Sequence, residues 1–343
     1  MLIINKTKPF YLNEKDKIIR MGNFKNDGKE LNFEDDSLIY MFKNLEKPIE
    51  RNNLINKIYS KYKIPLIEIN NALDYLIEEN FIINYNEYKN ILSDNIYSRQ
   101  NLFLNSLSNK FIKYDNILKR KKILILGLGG IGANVALILK RAGFSNLVLI
   151  DYDKIEESNL IRQFPYTFED IGKYKTSCLK EKLNDNKIIT KNIKILSEKD
   201  IESEIKNSDF VLCTIDKPQR IIRRLINRIC LKFSRPVLFC GFSEHVAMVG
   251  PFVIPKKTAC LECIKINEND QPFNNIEIVP SYGPLCALIS SIASNEIINY
   301  FTNYSSYSLA GKTLMFNITN YELEIISWNK NLNCKECANN ASK

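Results

Sequence analysis

Hydrophobic positions change their spacing along this chain, and the change divides it. From Asp36 to Glu79 apolar residues recur every three or four positions, in "SLIYMFKNL", "RNNLINKIYSKY" and "PLIEINNALDYLIEEN", the period of helices that bury one face. A β-like end, "FIINYNEY", follows and predicts a short hairpin after the helices. From Lys121 the rhythm differs. Compact apolar runs ("KILIL", "NLVLI", "NIKIL", "DFVLC", "PVLFC") alternate with amphipathic stretches ("IGANVALILKRAG", "YKTSCLKEKLNDN", "QRIIRRLINRIC"). Runs of that length between helices predict a largely parallel sheet with helices on both faces. After Pro251 the pattern is mixed, and "LMFNITNYELEIISW" predicts a closing hairpin. The expected organisation is therefore a small domain over 1–95, a helical bridge over 96–120, and an α/β Rossmann-like domain over 121–343.

Helices followed by a hairpin are the winged-helix pattern. Such a unit docks in a major groove, binds a peptide, or only dimerises. The second helix lacks a dense Arg/Lys face, which favours a peptide or protein partner over DNA. The net charge is +9, but the basic residues are scattered, so nucleic acid is an unlikely partner and an anionic substrate a better one. No apolar run approaches the roughly 20 residues of a membrane span, and "MLIINKTKPFYLNEKDK" lacks the core of a secretion signal. Cytoplasm is the expected location. There, nine cysteines are poor disulfide formers.

Chemistry concentrates in three places. "ILILGLGGIGANVALIL" sets Gly127, Gly129 and Gly132 as G-x-G-x-x-G, with Gly130 between, where a strand turns into a helix. Backbone amides and the helix dipole there favour phosphate. Asp151 ends the next strand, placed for ribose hydroxyls. NAD is one reading of this fingerprint. The stretch "VLIDYDKIEESNLIRQF" then adds Asp153, Asn159, Arg162 and Gln163, and Lys175 follows Arg162 by thirteen positions. Two cations converging on one ligand suit a triphosphate better than a diphosphate bridge. "VLCTID" supplies Asp216, a hard oxygen ligand for magnesium. Finally, "CLEC" (Cys260, Cys263) and "CKEC" (Cys334, Cys337) form two Cys-x-x-Cys pairs, the composition of a closed structural zinc site. His245, the only histidine, is open to a general-base or a local hydrogen-bonding role, and Cys286 lies within an apolar helical pattern and reads as core.

Together, G-x-G-x-x-G, D-x-D…S-N-L-x-R-Q, the lysine thirteen residues later and the strand-end aspartate resemble the family of ubiquitin-activating enzymes and their bacterial relatives in thiamine and molybdopterin biosynthesis. The resemblance implies that Asp151 binds ribose and that Asn159, Arg162 and Lys175 hold phosphates. Asp153, Gln163 and the loop glycines count with them as nucleotide-binding, and Asp216 holds magnesium. In "YSRQNL", Arg99 resembles the arginine that reaches the γ-phosphate of a neighbouring subunit, which implies a homodimer. The N-terminal segment, "GPFVIPKKTACLEC" and the terminal Cys-x-x-Cys resemble one branch of the family more closely. Its members nucleotidylate the C-terminus of a short ribosomal peptide in microcin-type antibiotic biosynthesis, using ATP or CTP. Activation of a sulfur-carrier protein, and a winged-helix DNA-binding nucleotide sensor, are the alternatives. The loop "IKINENDQPFNNIEIVPSYG" holds no cysteine, so no enzyme–substrate thioester is expected.

Overall fold

A computed structural model describes residues 1–22, 28–92, 96–107, 111–215, 219–264 and 280–338. The chain divides into two compact units, Met1–Tyr114 and Asp115–Lys343.

The first unit begins with β1 (Leu2–Ile4) and an antiparallel meander of β2 (Phe10–Asn13), β3 (Ile18–Met21) and β4 (Lys29–Asn32). The expected helices follow as α1 (Ser37–Asn44), α2 (Arg51–Tyr62) and α3 (Leu66–Glu78). Their apolar periodicity is used for packing: Leu54 and Ile58 of α2 and Ile69, Leu73 and Leu76 of α3 are buried with Ile19, Phe42 and Phe81 in one core. The hairpin expected after α3 does not form. Instead β5 (Ile82–Asn84) pairs antiparallel with β1, and α4 (Tyr85–Leu92) begins at once. The cause is local. Asn84 Oδ1 accepts the backbone N–H groups of Asn86 and Glu87 at 3.0 and 3.4 Å, so "NYNEY" starts a helix where a return strand was expected. The short α5 (Ser98–Asn105) completes the unit.

From its second residue α6 (Tyr114–Leu118) belongs to the second unit and leads into β6 (Lys122–Leu126), α7 (Gly132–Ala142), β7 (Asn146–Ile150), α8 (Lys175–Leu183) and β8 (Ile189–Lys191). Then come α9 (Glu202–Lys206), β9 (Phe210–Cys213), α10 (Gln219–Lys232), β10 (Val237–Ser243), β11 (Val246–Val253), α11 (Gly283–Thr302), β12 (Lys312–Asn317) and β13 (Glu322–Ser327). The eight strands lie in the order β13-β12-β11-β10-β9-β6-β7-β8. Pairings from β8 to β10 are parallel, and those from β10 to β13 antiparallel. The closing hairpin is β12–β13.

Alternation along each strand sorts its side chains onto two faces. Ile123 and Ile125 of β6, Leu147 and Leu149 of β7, and Phe210 and Leu212 of β9 pack with α7, α8 and α11. Leu124, Leu126, Val148, Ile150, Val211 and Cys213 pack on the other side with α9 and α10. The chain therefore leaves β6 toward one face, through α7, and leaves β9 toward the other, through α10. Between these adjacent strands the strand order reverses, and the connections diverge to open a crevice, the usual ligand position in such sheets.

Candidate functional site

The glycine loop sits at that crevice because of its backbone. Gly127 has φ +90°, a conformation that disfavours any residue with a β-carbon. A β-carbon at Gly132 would lie 1.9 Å from Gly127 O and 2.9 Å from Thr214 Oγ1, so α7 can start this close to the strand only without one. Thr214, just past β9, is within hydrogen-bond reach of Leu126 O and Gly127 O, at 3.1 and 2.9 Å, and ties the two strand exits together. Gly129 behaves differently. A β-carbon there would meet nothing nearer than Gln163 Nε2 at 4.0 Å, which leaves room for a ligand to approach the backbone.

Asp151 is buried at the end of β7. Its Oδ2 accepts the Leu128 amide at 2.6 Å and its Oδ1 the Asp153 amide at 2.8 Å. Burial pushes its pKa above the ordinary aspartate value, against the pull of nearby Lys175. Lys175 opens α8 and is itself buried, with Nζ 3.0 Å from Asp153 Oδ2, a carboxylate whose side chain is half exposed. A buried ammonium with one solvent-facing partner can exchange that partner for phosphate. Tyr166, which sequence reasoning did not single out, holds this corner: its hydroxyl is 3.3 Å from both Leu128 O and Lys175 O.

The Arg162 segment is built by a short turn. Glu156 N–H donates to Asn159 Oδ1 at 3.3 Å, and Asn159 O accepts the amides of Arg162 and Gln163. Arg162 Nη1 donates to Ser158 O at 2.6 Å, using one of its five donors among the described residues. Gln163 is buried, and its Oε1 has no hydrogen-bond partner among the described residues. Asn134 on α7 was also missed: its Nδ2 donates to Gly130 O at 2.6 Å and to Arg162 O at 3.2 Å. The available signal was a lone amide inside the apolar run "IGANVALIL".

The structure thus gathers Gly127, Gly129, Gly130, Gly132, Asp151, Asp153, Asn159, Arg162, Gln163 and Lys175 around one crevice. Asp216 lies outside the described residues. Arg99 is exposed on α5 of the first unit. His245 is exposed in the turn between β10 and β11, where its carbonyl accepts the Ile318 amide at 3.0 Å. Cys286 is fully buried on the first turn of α11, and burial raises its thiol to about 11, which makes it inert as a nucleophile at neutral pH.

Cys260, Cys263, Cys334 and Cys337 come together with their sulfurs all within 4.8 Å of one another. The pairs Cys260–Cys263, Cys260–Cys334 and Cys263–Cys337 are 3.9, 3.7 and 3.5 Å apart. Tetrahedral ligation at a Zn–S distance near 2.3 Å requires about 3.8 Å between sulfurs, so this set could hold zinc with no open position. The α10 helix straps both knuckles: Arg224 pairs with Glu262 at 3.2 Å, and Arg228 with Glu336 at 3.4 Å.

A fold with a topological crevice, a glycine loop and an acidic second-strand tip defines a nucleotide-binding α/β protein. The ThiF family model matches residues 97–337, and the chain belongs to the ThiF family. It is 37% identical over 147 residues to SUMO-activating enzyme subunit 2 of Dictyostelium discoideum, a match that covers 41% of this chain and 22% of that protein, so the chain spans about a fifth of that relative's length. It is 26% identical over 222 residues to the sulfur carrier protein ThiS adenylyltransferase of Escherichia coli, covering 63% of this chain and 85% of that one. In fold it is similar to E. coli MccB, solved with MccA-N7isoASN, at a TM-score of 0.81 and 24% identity over 98% of this chain and 99% of MccB. MccB has also been solved with ATP. No helix among the described residues is long and apolar enough to cross a membrane.

Proposed function

We propose that this protein is a nucleotidyltransferase that activates the C-terminal carboxylate of a short ribosomal peptide with ATP or CTP, as in microcin-type antibiotic biosynthesis. The observations that carry the reading are the Gly127–Gly132 loop with the Arg162 stem packed on Gly130, and buried Lys175 beside Asp151 and Asp153. A peptide α-carboxylate has a pKa of about 3.5 and is ionised at neutral pH, so no side-chain base is required. Its oxygen attacks the α-phosphorus, an acyl–phosphate bond forms, the α–β bridging P–O bond breaks, and pyrophosphate leaves. The obstacle is repulsion between two anions. Arg162 and Lys175 reduce it, with the loop amides fixing the phosphates, so catalysis rests on positioning and charge stabilisation. Asp216 would hold magnesium, which would supply further charge screening. By the same reading Arg99 completes the site of the second subunit in a homodimer, and zinc occupies the four cysteines.

The peptide is favoured over a protein substrate because the likeness to MccB extends over 98% of the chain, including the first unit, whereas the ThiS adenylyltransferase match covers 63%. The second reading, activation of a sulfur-carrier protein, draws on that relative. The test is pyrophosphate release on mixing the protein with ATP or CTP, magnesium and either candidate peptides or Gly-Gly-terminated carriers. Peptide-dependent release is the expected result. Carrier-dependent release favours the second reading. Salt-sensitive duplex binding with no release from either would overturn both.

A further inference from the structure

We infer that Asn134 is a positioning residue that holds the Arg162 segment in register with the glycine loop. This rests on the functional reading above. Asn134 stands near the start of α7, is 5% exposed, and spends its amide nitrogen on two carbonyls from different segments, Gly130 O at 2.6 Å and Arg162 O at 3.2 Å. Its Oδ1 is buried without a partner among the described residues. An amide that faces two carbonyls and leaves its own oxygen unpaired is costly unless the bridge matters, because a buried polar group without a partner loses its hydration for nothing.

The surroundings leave the junction no other slack. A β-carbon at Gly130 would lie 2.8 Å from Cys286 Sγ and 3.2 Å from Arg162 Cγ, so loop, arginine stem and α11 meet in contact. On the far side a β-carbon at Gly283 would come within 2.5 Å of Ile161 O. Ser290 Oγ on α11 is 3.2 Å from Ile131 O, so the same helix also braces the loop. The Arg162 backbone is thus walled by α11 and tethered by one side chain. The loop fixes where the phosphates lie, and the tether fixes where the guanidinium fork is relative to them. A cation displaced by about 1 Å from its phosphate loses much of its catalytic effect.

The experiment is a double-mutant cycle on the full chain, with Asn134→Ala, Arg162→Ala and the pair, read as NTP affinity by calorimetry, kcat and KM for pyrophosphate release, and Tm. Asn134→Ala is expected to lower kcat/KM for the NTP about tenfold to thirtyfold with the KM for peptide unchanged. In the Arg162→Ala background it should cost less than about twofold, because the tether then has nothing to position. Asn134→Ser, which keeps a donor, should recover part of the loss. Additive losses in the double variant, or a lower Tm with unchanged kinetics, would overturn the inference and leave the functional reading intact. A wild-type chain that binds neither ATP nor CTP would overturn both.

Discussion

The crevice and the cysteine centre are opposite solutions to holding a charged guest. At the cysteine centre four sulfurs enclose a volume suited to one ion, with Cys260 and Cys334 buried in the same core as α10. Nothing there is left over for a substrate. In the crevice, Lys175 is paired to a half-exposed carboxylate, Arg162 to one carbonyl, and Gln163 Oε1 to none of the described residues. Its polar groups are held in place but not used up. One site is closed around its ligand, and the other keeps polar groups available to take one.

The largest expected effect falls on the closed site. Cys334→Ser, or strong chelation, should broaden the thermal unfolding transition or lower Tm by many degrees, since structural zinc contributes on the order of 10 kcal/mol of apparent folding energy. Unchanged unfolding, with no metal by elemental analysis, would remove zinc from the account. Next in size, Arg162→Ala should lower kcat by about 10²–10³ with Tm nearly unchanged, and Lys175→Ala by as much with a lower Tm as well, because buried Asp151 then loses its neighbouring cation. Asp216→Ala and Arg99→Ala should each be inactive alone. A 1:1 mixture should regain about a quarter of wild-type turnover if the arginine acts across a dimer, because half the dimers then carry one complete site. No recovery would place Arg99 elsewhere.

A smaller effect follows from Asp151. Its pKa is raised on folding, so the native chain holds that proton more tightly than the unfolded chain, and ionising it costs stability as pH rises from about 4. Relative to Asp151→Asn, nucleotide-free wild-type protein should therefore gain stability as pH falls toward about 4, while its NTP affinity falls. Titrations of Tm and affinity across that window, in both proteins, check the sign. The smallest effect is expected for Cys286→Ala: turnover within a factor of about two, and no thiol-labile enzyme–substrate adduct by mass spectrometry, in keeping with a buried thiol of pKa about 11.

What the sequence made legible was whatever sits in local pattern. The β6–loop–α7–β7 sequence, the two Cys-x-x-Cys pairs and the β12–β13 hairpin all follow from short-range spacing. The pairing of β1 with β5 joins residues about eighty positions apart and leaves no local trace, and the cap at Asn84 overrode a β-like composition. Within the site, Gly127, Asp151, Arg162 and Lys175 announced themselves by residue type. Asn134, Thr214 and Tyr166 did not. Their work is to fasten one segment to another, and partners 28 to 88 positions away are visible only once the chain is folded.

Thr214 also bears on how nucleotide preference could change. By fastening both strand exits with one hydroxyl, it makes the width of the mouth a fixed dimension of the scaffold. Under the proposed function, a purine and a pyrimidine would then be told apart at the rim, by the segments beyond β7 and β8. Exchanging those segments between relatives should redirect base choice without rebuilding the sheet.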